Sequence, residues 1–249
     1  MIVLITGGGR GIGAATARLA ADGGRAVCVN YRANRAAADA VVADITSRGG
    51  RAFAVQADVS SESDIVRLFE RVDAEAAALG PLSGLVNNAG IIAPQTRVEH
   101  MDAARITRML ATNVTGAFVC AREAVRRLST ARGGAGGAIV NVSSRAALLG
   151  APNEYVDYAA SKAALDALTV GLAKEVAAEG IRVNGVRAGI IDTEIHADGG
   201  EPRRPDRLGP TLPMGRAGHA IEVARAIVWL LSDEASYTTG SFIDVAGGR

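Results

Sequence analysis

The sequence predicts a doubly wound α/β fold, with about seven parallel strands between two layers of helices. Three observations predict it. Short apolar, β-rich runs alternate with stretches of helical spacing ten or more residues long. The first run leads directly into a glycine-rich turn, Thr6-Gly7-Gly8-Gly9-Arg10-Gly11-Ile12-Gly13, which opens a helix. Apolar residues fill 49% of the 249 positions and aromatics only 4%, so the core is aliphatic and ample.

The elements follow in order. Ile2 to Ile5 reads as the first strand, and the stripe Ile12, Ala15, Leu19 and Ala20 as the first helix. Val27 to Val29 is a strand, Ala36 to Ser47 a helix, and Ala52 to Val55 a third strand. Ser60 or Ser61 can cap the next helix, with Asp64 in its first turn and Ile65, Leu68, Phe69 and Val72 on its apolar face. Gly80-Pro81 ends it, and Leu82 to Val86 is the fourth strand. Helices are expected from Met101 to Leu110 and from Asn113 to Ser129, the latter interrupted by Gly116. Ala138 to Val142 is the fifth strand, and Leu165, Leu168, Leu172 and Val176 mark a helix from Tyr158 to about Glu179. Ile181 to Val186, a helix from Ile221 to Leu231 and a last strand from Ser241 to Val245 complete the alternation.

No linker or repeat divides the chain, so residues 1–249 are expected to form a single domain. One segment breaks the alternation. Residues 190–216 are rich in Gly, Pro and Arg and follow a strand's C-terminal end, the expected place for a substrate loop. A net charge of +1 gives no electrostatic case for nucleic acid or anionic membrane as a partner. Cys28 and Cys120 sit in apolar runs and form no metal or redox motif. No apolar run approaches a membrane span, and strand-like sequence from Ile2 leaves no room for a signal peptide. A cytoplasmic protein is expected.

Tyr158 and Lys162 stand four apart, so on a helix they lie on one face. A phenol beside an ammonium is a candidate acid/base unit, although the spacing alone also suits a surface tyrosine and a solvated lysine. Tyr155 has no such partner, because Ala159 is four residues on. The glycine turn departs from the common G-x-G-x-x-G spacing, yet its place between strand and helix suits a diphosphate. The second strand ends in Asn30-Tyr31-Arg32, where a carboxylate would read a free ribose 2′-hydroxyl. Arg32 and Arg10 without that carboxylate favour NADP(H) over NAD(H).

With these residues together the chain resembles the short-chain dehydrogenase/reductase family over essentially its whole length. Thr6-Gly7-x-x-x-Gly11-x-Gly13 is similar to that family's cofactor turn, and Asn87-Asn88-Ala89-Gly90 to its N-N-A-G motif. Asn113, Ser144, Tyr158 and Lys162 match its catalytic tetrad in order, with Ser143 the structural neighbour of Ser144. Asp58-Val59 resembles the segment that touches the adenine ring. The run Arg187-Ala188-Gly189-Ile190-Ile191-Asp192-Thr193 has Ala188 where the family commonly has proline, which predicts a looser turn. Gly189, Ile191 and Thr193 are still expected to hold the nicotinamide amide.

The resemblance implies a Rossmann-type fold and hydride transfer between a nicotinamide and a carbonyl or secondary alcohol. In that reading Tyr158 is the acid/base and Lys162 lowers its pKa while holding the nicotinamide ribose. Ser144 orients the substrate oxygen, and Asn113 holds a water leading to solvent. The pattern is similar to glucose dehydrogenase-like and 3-oxoacyl-carrier-protein-reductase-like members, and the substrate stays open. His196, Arg203, Arg204 and Arg207 are the candidates for meeting an acidic substrate. A non-catalytic dinucleotide sensor or scaffold is the alternative from another class. Members of this size are commonly homotetramers, with a dimer possible.

Overall fold

A computed structural model describes all of residues 1–249. The chain begins β1 (Ile2–Ile5), α1 (Gly11–Asp22), β2 (Ala26–Tyr31), α2 (Arg35–Ser47), β3 (Arg51–Gln56) and α3 (Glu62–Leu79). It continues with β4 (Leu82–Asn87), α4 (Ala103–Leu110), α5 (Gly116–Leu128), β5 (Gly137–Ser144), α6 (Ala146–Leu149) and α7 (Val156–Val176). After β6 (Ile181–Ala188) come β7 (Ile191–Asp192), α8 (Ile195–Asp198), α9 (Arg204–Leu208), β8 (Gly218–His219), α10 (Ala220–Leu231) and β9 (Phe242–Val245).

The main sheet has seven strands in the order β3-β2-β1-β4-β5-β6-β9. Every neighbouring pair is parallel. The order reverses between β1 and β4, which parts the crossovers there and opens a crevice at the strands' C-terminal ends. β1 shows why its sequence is apolar throughout. Val3 and Ile5 join the core beneath α1, α2 and α10, while Ile2 and Leu4 join the core beneath α3, α5 and α7. A central parallel strand is covered on both faces, so alternation in polarity disappears.

Helix boundaries follow local chemistry. Ser61 accepts a bond from the Asp64 N–H at the start of α3, and Asp102 accepts one from Arg105 at 2.7 Å at the start of α4. Gly116 does not interrupt its helix. A π turn, Ala111–Thr115, joins α4 to α5, and Gly116 opens the second of them. Glycine is required there for packing: a Cβ would lie 2.3 Å from the Val59 carbonyl oxygen.

The 190–216 segment is tied down rather than free. β7 and β8 pair in parallel across it, and α8 and α9 lie between them. Arg204 of α9 is 4% exposed and bonded to both Glu154 and Glu201. The turn after β6 is also firm without proline. The Ala188 carbonyl accepts from Arg145 N at 2.9 Å, and Gly189 N donates to Val245 at 2.9 Å.

Candidate active site

The crevice is one cavity of about 470 Å³ that runs from the glycine turn to the start of α7. Its floor is built where β5 ends against α7. Tyr158 and Lys162 stand one turn apart, with the Lys162 Nζ 5.7 Å from the centre of the tyrosine ring. Lys162 is buried and donates to the Val142 carbonyl at 2.7 Å. The Ser144 hydroxyl stands beside the Tyr158 phenol. Its Oγ also accepts from Ala146 N at 3.1 Å, which holds the hydroxyl at the strand end. Ser143 is buried and donates to the Lys162 carbonyl, so it braces the helix.

The electrostatics differ from the expected depression of the phenol by Lys162. Tyr158 keeps a partly exposed edge on the cavity, yet its oxygen lies deep among protein atoms. Burial pushes its pKa from 10.0 up to about 12, and the neighbouring Ser144 hydroxyl opposes that rise. Lys162 moves the other way, from 10.5 down to about 8, because burial disfavours the ammonium more than Asp166 supports it. The protein's own groups therefore bring the lysine's titration toward neutral pH while leaving it mostly charged there, and leave the tyrosine protonated.

Asn113 lies in the π turn, buried. Its Oδ1 accepts from Ile91 N at 2.8 Å, and its Nδ2 donates to Ile91 O and Ser161 Oγ at 3.0 Å each. The side chain thus straps the loop after β4 to α7. A Cβ on Gly90 would sit 3.5 Å from both Asn113 Oδ1 and Lys162 Nζ, so this loop crosses directly over the pair.

At the other end Gly7, Gly9, Arg10, Gly11 and Ile12 line the cavity. Gly7 and Gly11 have φ of +62° and +50°, which side chains rarely adopt. The first N–H groups of α1 have no intrahelical acceptor and point at this turn. Gly13 lies outside the cavity: its Cβ would meet the Gly7 carbonyl at 2.4 Å, so its part is close packing. Asn30 is buried; it accepts from Gly7 N at 3.2 Å and donates to Ala57 O at 3.1 Å. It braces the turn. Tyr31, Arg32, Asp58 and Val59 line the cavity beside it, with Ala89 and Gly90 opposite.

Residues 7–249 match the family model described as Enoyl-(Acyl carrier protein) reductase. The uncharacterized oxidoreductase YgfF of Escherichia coli (strain K12) is 60% identical over 248 residues, covering 100% of this chain and 99% of that protein. The chain belongs to the short-chain dehydrogenase/reductase family. Cis-4-hydroxycyclohexanecarboxylate dehydrogenase of Sinomonas cyclohexanicum is 39% identical, covering 99% of this chain and 95% of that one. A short-chain dehydrogenase from Burkholderia cenocepacia J2315, solved in complex with NADP, superposes with a TM-score of 0.86. It is 34% identical, covering 99% of this chain and 96% of that one. Enzymes of this family bind a nicotinamide dinucleotide and act on alcohol or carbonyl groups, and this chain is such an oxidoreductase.

The cavity suits that family cofactor, since Gly7, Gly9 and Gly11 at its glycine end put no side chains of their own against a diphosphate. Two expected cofactor residues do not reach it as foreseen. Asn87 is buried off the cavity, donating to Asn141 Oδ1 at 3.0 Å and Ala117 O at 3.2 Å in a core network. Gly13 acts from behind the turn, whereas Asn30 both braces the turn and lines the cavity. Arg10 is ion-paired with Asp198 of α8, so of the two arginines foreseen for a 2′-phosphate only Arg32 has no acidic partner. Gly189, Ile191 and Thr193 line the opposite wall. The Ile191 carbonyl accepts from Thr193 Oγ1 at 3.4 Å and from His196 Nε2 at 2.9 Å. Of the candidates for an acidic substrate, Arg203 and Arg207 pair with Asp206 and Glu201 and lie off the cavity. Glu154, Tyr155 and Arg249 line it and were not foreseen. No local motif marks them, because they meet only in the fold.

Proposed function

We propose that this enzyme is an NADP(H)-preferring oxidoreductase of carbonyl or secondary alcohol substrates. In this reading residues 1–249 act as one nicotinamide-binding domain, with Tyr158, Lys162 and Ser144 as catalytic residues and Asn113 as a positioning residue. The observation that carries the reading is the meeting of Tyr158, Ser144 and Lys162 on the floor of the cavity that begins at the glycine turn. The relative that acts on a hydroxycyclohexanecarboxylate supports a secondary alcohol on a small ring or chain.

When bound, the nicotinamide supplies or accepts the hydride at the substrate carbon. In reduction Tyr158 gives its phenolic proton to the oxygen that becomes the alcohol, and in oxidation it takes that proton back. The Ser144 hydroxyl donates to the same oxygen and holds it against the phenol. Tyr158 alone, at about 12, stays protonated, so its proton is present for reduction, but it is a weaker acid than a free phenol and its phenolate is scarce for oxidation. A positive charge nearby is needed to favour the phenolate, and Lys162 with the oxidised cofactor provides it. Lys162 at about 8 exchanges its own proton readily near neutrality. The π turn shifts the carbonyl ladder at residue 113. A water there therefore meets a main-chain carbonyl, because the Asn113 amide is committed elsewhere.

Arg32 reads the 2′-phosphate. The NADP complex of the Burkholderia cenocepacia relative supports this cofactor. Steady-state turnover with NADPH and NADH tests the reading on one purified sample. A higher kcat/KM with NADPH is expected, and Arg32→Ala should narrow the gap about tenfold or more, as loss of a charge-assisted contact does. A preference for NADH that Arg32→Ala leaves unchanged would reverse the cofactor assignment.

A further inference from the structure

The arginines of the cavity point to the chemistry of the substrate. Five guanidiniums line it: Arg10, Arg32, Arg145, Arg204 and Arg249. Three are neutralised within the protein. Arg10 pairs with Asp198, Arg145 with Asp244, and Arg204 with Glu154 and Glu201. Arg32 and Arg249 have no acidic partner, and they belong to different ends. Arg32 ends β2 beside the glycine turn. Arg249 is held beside Ser144, because the next residue, Arg145, donates from Nε to the Arg249 main-chain oxygen at 2.7 Å.

The chain after β9 is shaped to deliver Arg249 there. Gly247 and Gly248 take φ of +60° and +88° and fold the backbone back toward the cavity. The Gly247 carbonyl accepts from Met214 N at 3.2 Å, and a Cβ on Gly248 would lie 2.9 Å from Pro213 Cβ. Arg249 N closes the turn on Ala246 O at 3.2 Å. Its guanidinium then lies within the fields of both Arg204 and Glu154, and that carboxylate is already bonded to Arg204. Arg249 makes no ion pair of its own, which leaves its guanidinium able to take an anion at the cavity.

Building on the function proposed above, we propose that Arg249 binds the carboxylate of the substrate, so that the enzyme prefers oxo acids and hydroxy acids over neutral ketones and alcohols. The planar fork of arginine matches a carboxylate through two parallel bonds, which fixes the direction of the substrate as well as its affinity. The reacting oxygen then lies toward Ser144 and Tyr158, and the anionic end toward the turn after β9.

The test compares 4-oxocyclohexanecarboxylate with its neutral methyl ester, using NADPH and the whole enzyme. The acid should exceed the ester in kcat/KM by about 10- to 100-fold, the range of one charge-assisted contact. Arg249→Gln should remove that advantage through KM with little change in kcat, and leave the ester unaffected. Arg249→Lys should restore part of it. Direct binding of cyclohexanecarboxylate to the NADPH-loaded enzyme, followed by calorimetry, separates this inference from the function it rests on. Carboxylate binding that Arg249→Gln abolishes supports the inference even if neither ketone turns over. Equal use of acid and ester would overturn the inference while sparing the oxidoreductase reading. An equal loss for both substrates in Arg249→Gln, or no carboxylate binding at all, would overturn it too.

Discussion

At the residue scale the site is governed by burial. Tyr158→Phe keeps the ring and removes the phenolic proton that the reading assigns to the substrate oxygen. Turnover should fall by at least about a thousandfold, within the range of general acid–base catalysis, while cofactor affinity stays within a few-fold. Stopped-flow turnover beside a cofactor titration checks both halves. Lys162 adds a pH dependence with a definite sign. Its folded pKa is depressed from 10.5 to about 8, so between those values the unfolded chain holds a proton that the folded chain has released. Stability attributable to Lys162 therefore rises with pH through that window and is at its lowest below it. Tyr158 acts oppositely between 10.0 and about 12, where the folded protein keeps a proton the unfolded chain has lost. Urea unfolding of wild type and Lys162→Met on either side of pH 8 should show wild type gaining on the variant as pH rises. Parallel pH profiles would contradict the shift.

At the element scale two contacts fix where α7 and the crevice wall stand. Arg105 of α4 reaches Asp157 at 2.8 Å in the first turn of α7, and Asp157 also accepts the Tyr158 N–H at 3.0 Å. The Asp157 side chain is 3% exposed. Arg105→Met would strand that carboxylate and should cost about 3–5 kcal/mol in thermal or urea unfolding. The double variant Arg105→Met/Asp157→Leu should recover much of the loss, because no unpaired charge remains. Gly116 sets the second contact. Gly116→Ala forces a Cβ against the Val59 carbonyl and should destabilise by about 1–3 kcal/mol. Val59 lines the cavity, so the same shift should weaken cofactor binding. The alternation of strands and helices was legible because each repeats its own period. The π turn and the β7–β8 pair were not, since Ala111–Thr115 keeps helical spacing and two-residue strands have no period at all.

For the whole molecule, the cavity is lined from strands drawn from both halves of the sheet. Cofactor binding should therefore stabilise the entire fold. At a concentration a hundredfold above Kd the gain is about 2.7 kcal/mol, and NADPH should raise the melting temperature more than NADH at equal concentration. The outer surface suggests assembly. Ile106, Leu110 and Phe118 on α4 and α5 are 38%, 39% and 48% exposed. A homotetramer built over these faces is the state we propose, and light scattering on the purified protein tests it, a monomer counting against it.

The sequence by itself determined the sheet, the glycine turn at the end of β1, and the order of Asn113, Ser144, Tyr158 and Lys162 along the chain. These are local facts, carried by periodicity and short spacing. Only the tertiary structure decided which polar groups are spent and which are free. Asn87 looks like a cofactor ligand until Asn141 meets it in the core, and Arg10 and Arg204 look like free cations until Asp198 and Glu154 neutralise them. Arg249 carries no motif, yet it is left unpaired at the cavity. The physical reason is common to all of these: desolvation and charge pairing are sums over neighbours brought from distant parts of the chain. The same sums move Tyr158 up and Lys162 down, and no spacing of four residues contains them.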